Sequence, residues 1–147
     1  MHTLIQSFRP REFMAGFLLL FIWASGFAEA FAQENDSNAK ELAVTQAVMC
    51  EEIKNYEPHN KAAVFSISAG KVYCFTAFNP VPRDMYIYHS WYRRDRLITT
   101  RRLSLKTPDW SVVSTIQLRQ ADKGPWRVEV KDHNGGVIKI IKFSITD

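Results

Sequence analysis

His89 and Trp91 stand two residues apart in the run Met85-Tyr86-Ile87-Tyr88-His89-Ser90-Trp91-Tyr92. On an extended strand, residues two apart share a face, so this pair projects together with Ile87 and Met85. On an open face, imidazole beside indole supplies a titratable hydrogen-bonding group next to an aromatic platform. On a closed face the same pair is a core Trp with a His bonded to a neighbouring strand. Met85 and Ile87 belong in a core and favour the closed reading. A general-base role for His89 needs a partner nucleophile. Ser90 and Ser114 qualify by residue type alone, because no nucleophile-elbow motif surrounds either.

Tyr86, Tyr88 and Tyr92 occupy the opposite face of the same strand. Their rings supply flat area and their hydroxyls supply hydrogen bonds, which suits stacking on sugars or binding of peptide; packing under a loop or in a dimer contact is the alternative. Arg93, Arg94, Arg96, Arg101 and Arg102 gather where this strand turns back into Leu97 to Leu105. Such a cluster binds phosphate, carboxylate or sulfate, or it forms a solvated edge that discourages sheet-to-sheet aggregation. A turn centred on Arg94-Asp95 pairs Tyr88 with Arg101 and Tyr92 with Leu97, within cation–π reach. A three-residue loop slips the register by one and sets Arg102 opposite Tyr86. Asp95 is the tip residue best suited to left-handed backbone. The binding candidates are therefore Tyr86, Tyr88, His89, Trp91, Tyr92, Arg93, Arg94, Arg96, Arg101 and Arg102.

Other chemistry is absent from the pattern. His2, His59 and His133 match no metal-ligand spacing. Glu51 and Glu52 are adjacent, point to opposite faces of a strand, and so cannot form a glycosidase pair. There is no glycine-rich phosphate loop. No catalytic constellation, metal set or cofactor motif emerges.

The elements that position these residues read as sheet. Of 147 residues, 46% are hydrophobic and 13% aromatic, and β-branched and aromatic residues dominate the periodic segments. Strand-like runs cover 44–53, 63–67, 72–78, 85–92, 97–105, 110–118, 126–131 and 137–145. The clearest is Trp126-Arg127-Val128-Glu129-Val130-Lys131, which alternates apolar and charged residues. Asn79-Pro80-Val81-Pro82 and Thr107-Pro108-Asp109 break the chain, and the 55–61 segment, carrying Pro58, reads as a turn or loop. Asp132-His133-Asn134-Gly135-Gly136 is a hairpin turn. The Ile138-Lys139-Ile140-Ile141 run departs from simple alternation, which predicts a bulge or two-sided burial. About eight short strands without an amphipathic helix give an all-β, immunoglobulin-like antiparallel sandwich over 42–147.

Ahead of that domain, Arg9 and Arg11 precede the apolar run 17–23, and Ala30-Phe31-Ala32 precedes Gln33. That is the pattern of a cleaved secretory signal peptide over 1–32, with an uncleaved anchor as the alternative. The uncharged stretch 13–28 is shorter than the roughly 18–20 residues of a spanning helix. Residues 33–41 form a polar, flexible lead-in. Removing the leader takes away two Arg and two Glu and leaves the net charge at +4. Export to a periplasmic or extracellular compartment makes Cys50 and Cys74 candidates for a disulfide, worth roughly 3.5 kcal/mol in the chain-entropy model.

The Tyr73-Cys74-Phe75-Thr76 strand, the His89-x-Trp91 pair, Trp110 followed by Ser114, Gly124-x-Trp126-x-Val128 and Phe143 in the last strand occur together, in that order. In this the chain, from about Val44 to Ile145, resembles the bacterial family catalogued as domain of unknown function 2914. Pro125 after Gly124 and the Arg-Arg-Asp tip depart from the expected pattern. The resemblance implies an exported or membrane-tethered β domain and no specific activity. The combined expectation is an exported, non-catalytic binding module of the bacterial cell envelope. Its hairpin 85–105 would engage a partner protein or an anionic envelope glycan, with no nucleic acid and at most peripheral membrane contact. The alternative is a small periplasmic, hydrolase-like enzyme built on His89.

Overall fold

The computed structural model describes residues 40–147. The expected signal peptide, 1–32, and the lead-in through residue 39 lie outside the described residues. Lys40 to Ala43 precede the first strand without regular structure.

Nine strands follow: β1 (Val44–Lys54), β2 (Glu57–Lys61), β3 (Val64–Ser66), β4 (Lys71–Phe78), β5 (Met85–Arg93), β6 (Arg96–Leu105), β7 (Trp110–Gln117), β8 (Gly124–Lys131) and β9 (Val137–Thr146). They form a four-stranded sheet, ordered β2-β1-β4-β7, and a five-stranded sheet, ordered β3-β9-β8-β5-β6. All pairings are antiparallel except β3 with β9. The β9-β8-β5-β6 run of one sheet and the β4-β7 pair of the other follow the strand pairing of immunoglobulin-like sandwiches. No helix among the described residues is long and apolar enough to cross a membrane.

One element departs from the sequence reading. The 55–61 segment contains a strand, β2, rather than only a loop. Asn55 and Tyr56 take φ of 49° and 64°, which makes a two-residue primed turn without glycine and lets the chain double back on β1. Pro58 is tolerated because β2 is the outermost strand of its sheet. The irregularity expected near Ile138 is present: β8 and β9 shift register between Val130 and Lys131, leaving Ile138 as the extra residue.

The dry faces meet in two apolar clusters. One contains Met49, Phe65, Val72, Cys74, Trp91, Trp126, Val128, Phe143 and Ile145. Phe143 organises it, meeting Trp91 edge-on with ring centres 6.0 Å apart and stacking on Trp126 at 6.0 Å. The other contains Phe78, Val81, Ile87, Leu105, Val112 and Val130.

The expected Cys50–Cys74 disulfide is not formed; both are free, buried thiols. Register supplies the reason. β1 pairs Met49 with Cys74 and Cys50 with Tyr73, so the two cysteines belong to opposite faces of one sheet. Diverging Cβ vectors cannot be bridged without moving backbone. Cys74 lies in the core, where an immunoglobulin domain would place its partner on the strand equivalent to β8; here β8 presents Val128 and Val130. Burial raises the Cys74 thiol, with a smaller contribution from Cys50, and keeps it protonated. Protein purified without reductant should therefore show two titratable thiols in denaturant and almost no reaction with the same reagent when native.

Candidate functional site

Burial decides which face of β5 is dry. Ile87, His89 and Trp91 are fully enclosed, whereas Tyr86, Tyr88 and Tyr92 are half-buried on the outer face. His89 and Trp91 therefore leave the candidate surface and belong to the core. His89 Nε2 lies 3.0 Å from Thr76 Oγ1 on β4, and Nδ1 lies 2.7 Å from Ser114 Oγ on β7. The Trp91 indole N–H donates to the same Ser114 Oγ at 3.1 Å. The imidazole thus spans from the five-stranded to the four-stranded sheet. In each strand the polar residue sits between the two apolar clusters: Ile87-His89-Trp91, Cys74-Thr76-Phe78 and Val112-Ser114-Ile116. Desolvation holds the His89 pKa down at about 4, so the ring is neutral near pH 7. Ser114 is bonded to His89 as the sequence allowed, but it serves as a structural bridge inside a closed core.

The hairpin tip turns on Arg94 and Asp95, with φ of 45° and 65°. This two-residue turn pairs Tyr92 with Leu97. A bulge then intervenes: Trp91 pairs with Thr99, and Ile98 is the extra residue. Beyond it Tyr88 pairs with Arg102, His89 with Arg101 and Tyr86 with Ser104. The expected Tyr88–Arg101 pairing is therefore replaced by Tyr88–Arg102. Arg102 lies on the tyrosine face, its guanidinium 3.9 Å from the Tyr86 ring centre. Arg101, exposed, belongs to the other face of β6.

β8 brings three residues to this face that the tyrosine pattern alone did not identify. β5 pairs with β8, aligning Tyr88 with Lys131, Ser90 with Glu129 and Tyr92 with Arg127. Arg127 lies 4.2 Å over the Tyr92 ring, and Lys131 Nζ donates to the Tyr92 hydroxyl at 3.0 Å. Glu129 ties the pair together, accepting from Arg127 Nε at 2.9 Å and from Lys131 Nζ at 3.1 Å. Burial alone would raise the Glu129 carboxyl; the hydrogen bonds from Arg127 and Lys131 outweigh it and hold the pKa below the usual range. The alternating charges of 126–131 already marked a wet strand face. What the sequence lacked was the knowledge that β8 lies beside β5.

The remaining arginines disperse. Arg93 is half-buried, with Nη2 3.4 Å from the Lys123 carbonyl and Nε buried without a partner among the described residues. Arg94 folds over Gly124, and Arg96 is exposed opposite Arg93. The structure thus gathers Tyr86, Tyr88, Tyr92 and Arg102 on one face, adds Arg127 and Lys131, places Arg94 at its end, and sets His89, Trp91 and Arg101 elsewhere.

The buried polar group makes two measurable demands. An unfolded His titrates near 6.5 and His89 near about 4, so between these values the unfolded chain binds the extra proton. Its contribution to stability is complete above pH 6.5, is lost as pH falls through that window, and levels off below it, totalling about 3 kcal/mol. Denaturant melts from pH 7 to pH 4 should show this slope, and His89→Gln should remove it. Ser114→Ala strands the Trp91 N–H and His89 Nδ1 in a dry core, and the same melts should register a loss of about 2–4 kcal/mol at pH 7.

No curated protein matches the chain. The family resemblance is found again in a family model described as Protein of unknown function (DUF2914), which matches residues 84–145. The matched stretch runs through β5, β6, β7, β8 and β9, and so leaves out the Tyr73-Cys74-Phe75-Thr76 strand. From the hairpin with its tyrosine face to the last strand, this chain is similar to that family of unknown function.

Proposed function

We propose that this protein is an exported, non-catalytic binding module of the bacterial cell envelope, periplasmic or secreted, that holds an anionic envelope glycan on the outer face of its five-stranded sheet. The observation that carries this reading is the arrangement of Tyr86, Tyr88 and Tyr92 along one sheet face with Arg102, Arg127 and Lys131 against them. Tyrosine rings offer area for sugars, and fixed cations offer charge-assisted bonds to acidic groups. The signal-peptide pattern of 1–32 supplies the export part of the proposal. The hydrolase alternative finds no support in His89, whose ring is enclosed and whose two nitrogens are engaged by Thr76 and Ser114.

The test is co-sedimentation with peptidoglycan, acidic cell-surface polysaccharide and anionic vesicles at low and high salt. Acidic polysaccharide should capture the protein, less strongly in high salt because screening weakens the cationic contribution. Tyr88→Ala and Arg102→Ala should each reduce capture by about tenfold, with melting temperatures close to wild type, since both side chains lie outside the core. Undiminished capture by both variants would remove this face from the function.

A further inference from the structure

At the hairpin tip the tyrosine face ends in a shallow pocket of about 180 Å³. We propose that this pocket is an oxyanion seat, which takes one phosphate, sulfate or carboxylate group presented by the glycan lying along the face. That the oxyanion is carried by a glycan rests on the function proposed above; the seat rests on its own residues.

Three cations from three elements converge there. Tyr92, Arg127 and Lys142 are aligned in register across β5, β8 and β9, so they share one face of the sheet. Arg94 enters from the tip turn and lies close over Gly124. That glycine has φ of +115°, and a Cβ on it would come within 3.3 Å of Arg94 Nε and Nη2. The Arg94 backbone N–H donates to the Pro125 carbonyl at 3.2 Å, fixing the turn against the pocket wall. Pro125 also lines the pocket.

One carboxylate is already present. Asp95 accepts from Arg127 Nη1, and its side chain is 91% exposed. Arg127 is held from behind by Glu129, whose side chain is only 13% exposed. The two carboxylates therefore differ in kind: Glu129 is part of the sheet, whereas Asp95 is an exposed turn residue pairing with Arg127 alone among the described ion pairs. Arg94 and Lys142 have no acidic partner among those pairs. An incoming oxyanion replaces Asp95 at Arg127 and also reaches Arg94 and Lys142. Asp95 is thus an internal competitor for the seat, and the site should respond to its removal by binding anions more tightly.

The experiment titrates the mature protein, residues 33–147, with inorganic phosphate, sulfate and acetate at constant ionic strength, following backbone amide shifts. Saturable shifts should concentrate at 92–95, 124–127 and 142. Arg94→Gln and Lys142→Gln should each weaken binding about tenfold. Asp95→Asn, which tolerates the left-handed turn, should tighten it about threefold or more. The absence of saturable shifts in wild type, or an Asp95→Asn affinity no better than wild type, overturns the seat. Tyr88→Ala separates the two proposals, since it should keep phosphate binding while polysaccharide capture falls about tenfold. Phosphate binding without polysaccharide capture by the wild type leaves the seat standing and overturns the glycan reading; capture without a phosphate site does the reverse.

Discussion

The hydrogen bonds that join His89 with Ser114 and with Thr76 decide how the two sheets face each other. Apolar contacts carry no direction of their own and so specify register only through shape. A neutral imidazole in a dry core tolerates no sliding, since an unpaired polar group there costs more than most single contacts contribute. One nitrogen must find β4 and the other must find β7, and the Trp91 N–H must find the same Ser114 oxygen. This fixes β5 across the sandwich and divides the core into its two apolar clusters. It also fixes which side of β5 is wet. The tyrosines are on the outside because His89 and Trp91 are bound on the inside.

The outer face follows from that constraint through ladder geometry. Once β5 is fixed, β8 pairs with it in one register, and the charged residues of Arg127-x-Glu129-x-Lys131 come up beside Tyr88, Ser90 and Tyr92. Glu129 then supplies what two neighbouring cations need to stay close together. Its carboxylate offsets their repulsion, and Arg127 sits over the Tyr92 ring while its Nε donates to Glu129. The face is ordered by the protein's own contacts, so a ligand placed on it would meet side chains already held in place and would lose less conformational entropy on binding.

The sequence made the period-two strands legible because β-branched and aromatic residues fill them, and it made the sandwich legible because those runs recur at short spacing with proline and glycine between them. The His89–Trp91 face could be recognised as a core candidate from its neighbours Ile87 and Met85. Other features depended on pairings that no local pattern carries. β2 was hidden by Pro58 and its polar neighbours, because an edge strand needs little apolar character. The divergence of Cys50 and Cys74 follows from how β1 aligns with β4, after a shift between Val44 and Gln46. Arg127 and Lys131 were visible as charged residues of a wet face, but their place beside the tyrosines requires the long-range β5–β8 contact.

The extra residue at Ile98 has a consequence for how any ligand can approach. β6 is the last strand of its sheet, and its outer edge is where another chain could add itself as a further strand. The bulge interrupts the regular succession of backbone donors and acceptors there, and exposed Arg96 and Arg101 surround the interruption with like charge. Strand addition at this border is thereby disfavoured. A ligand of this sheet would then meet its broad side, where side chains rather than main-chain pairing would set specificity.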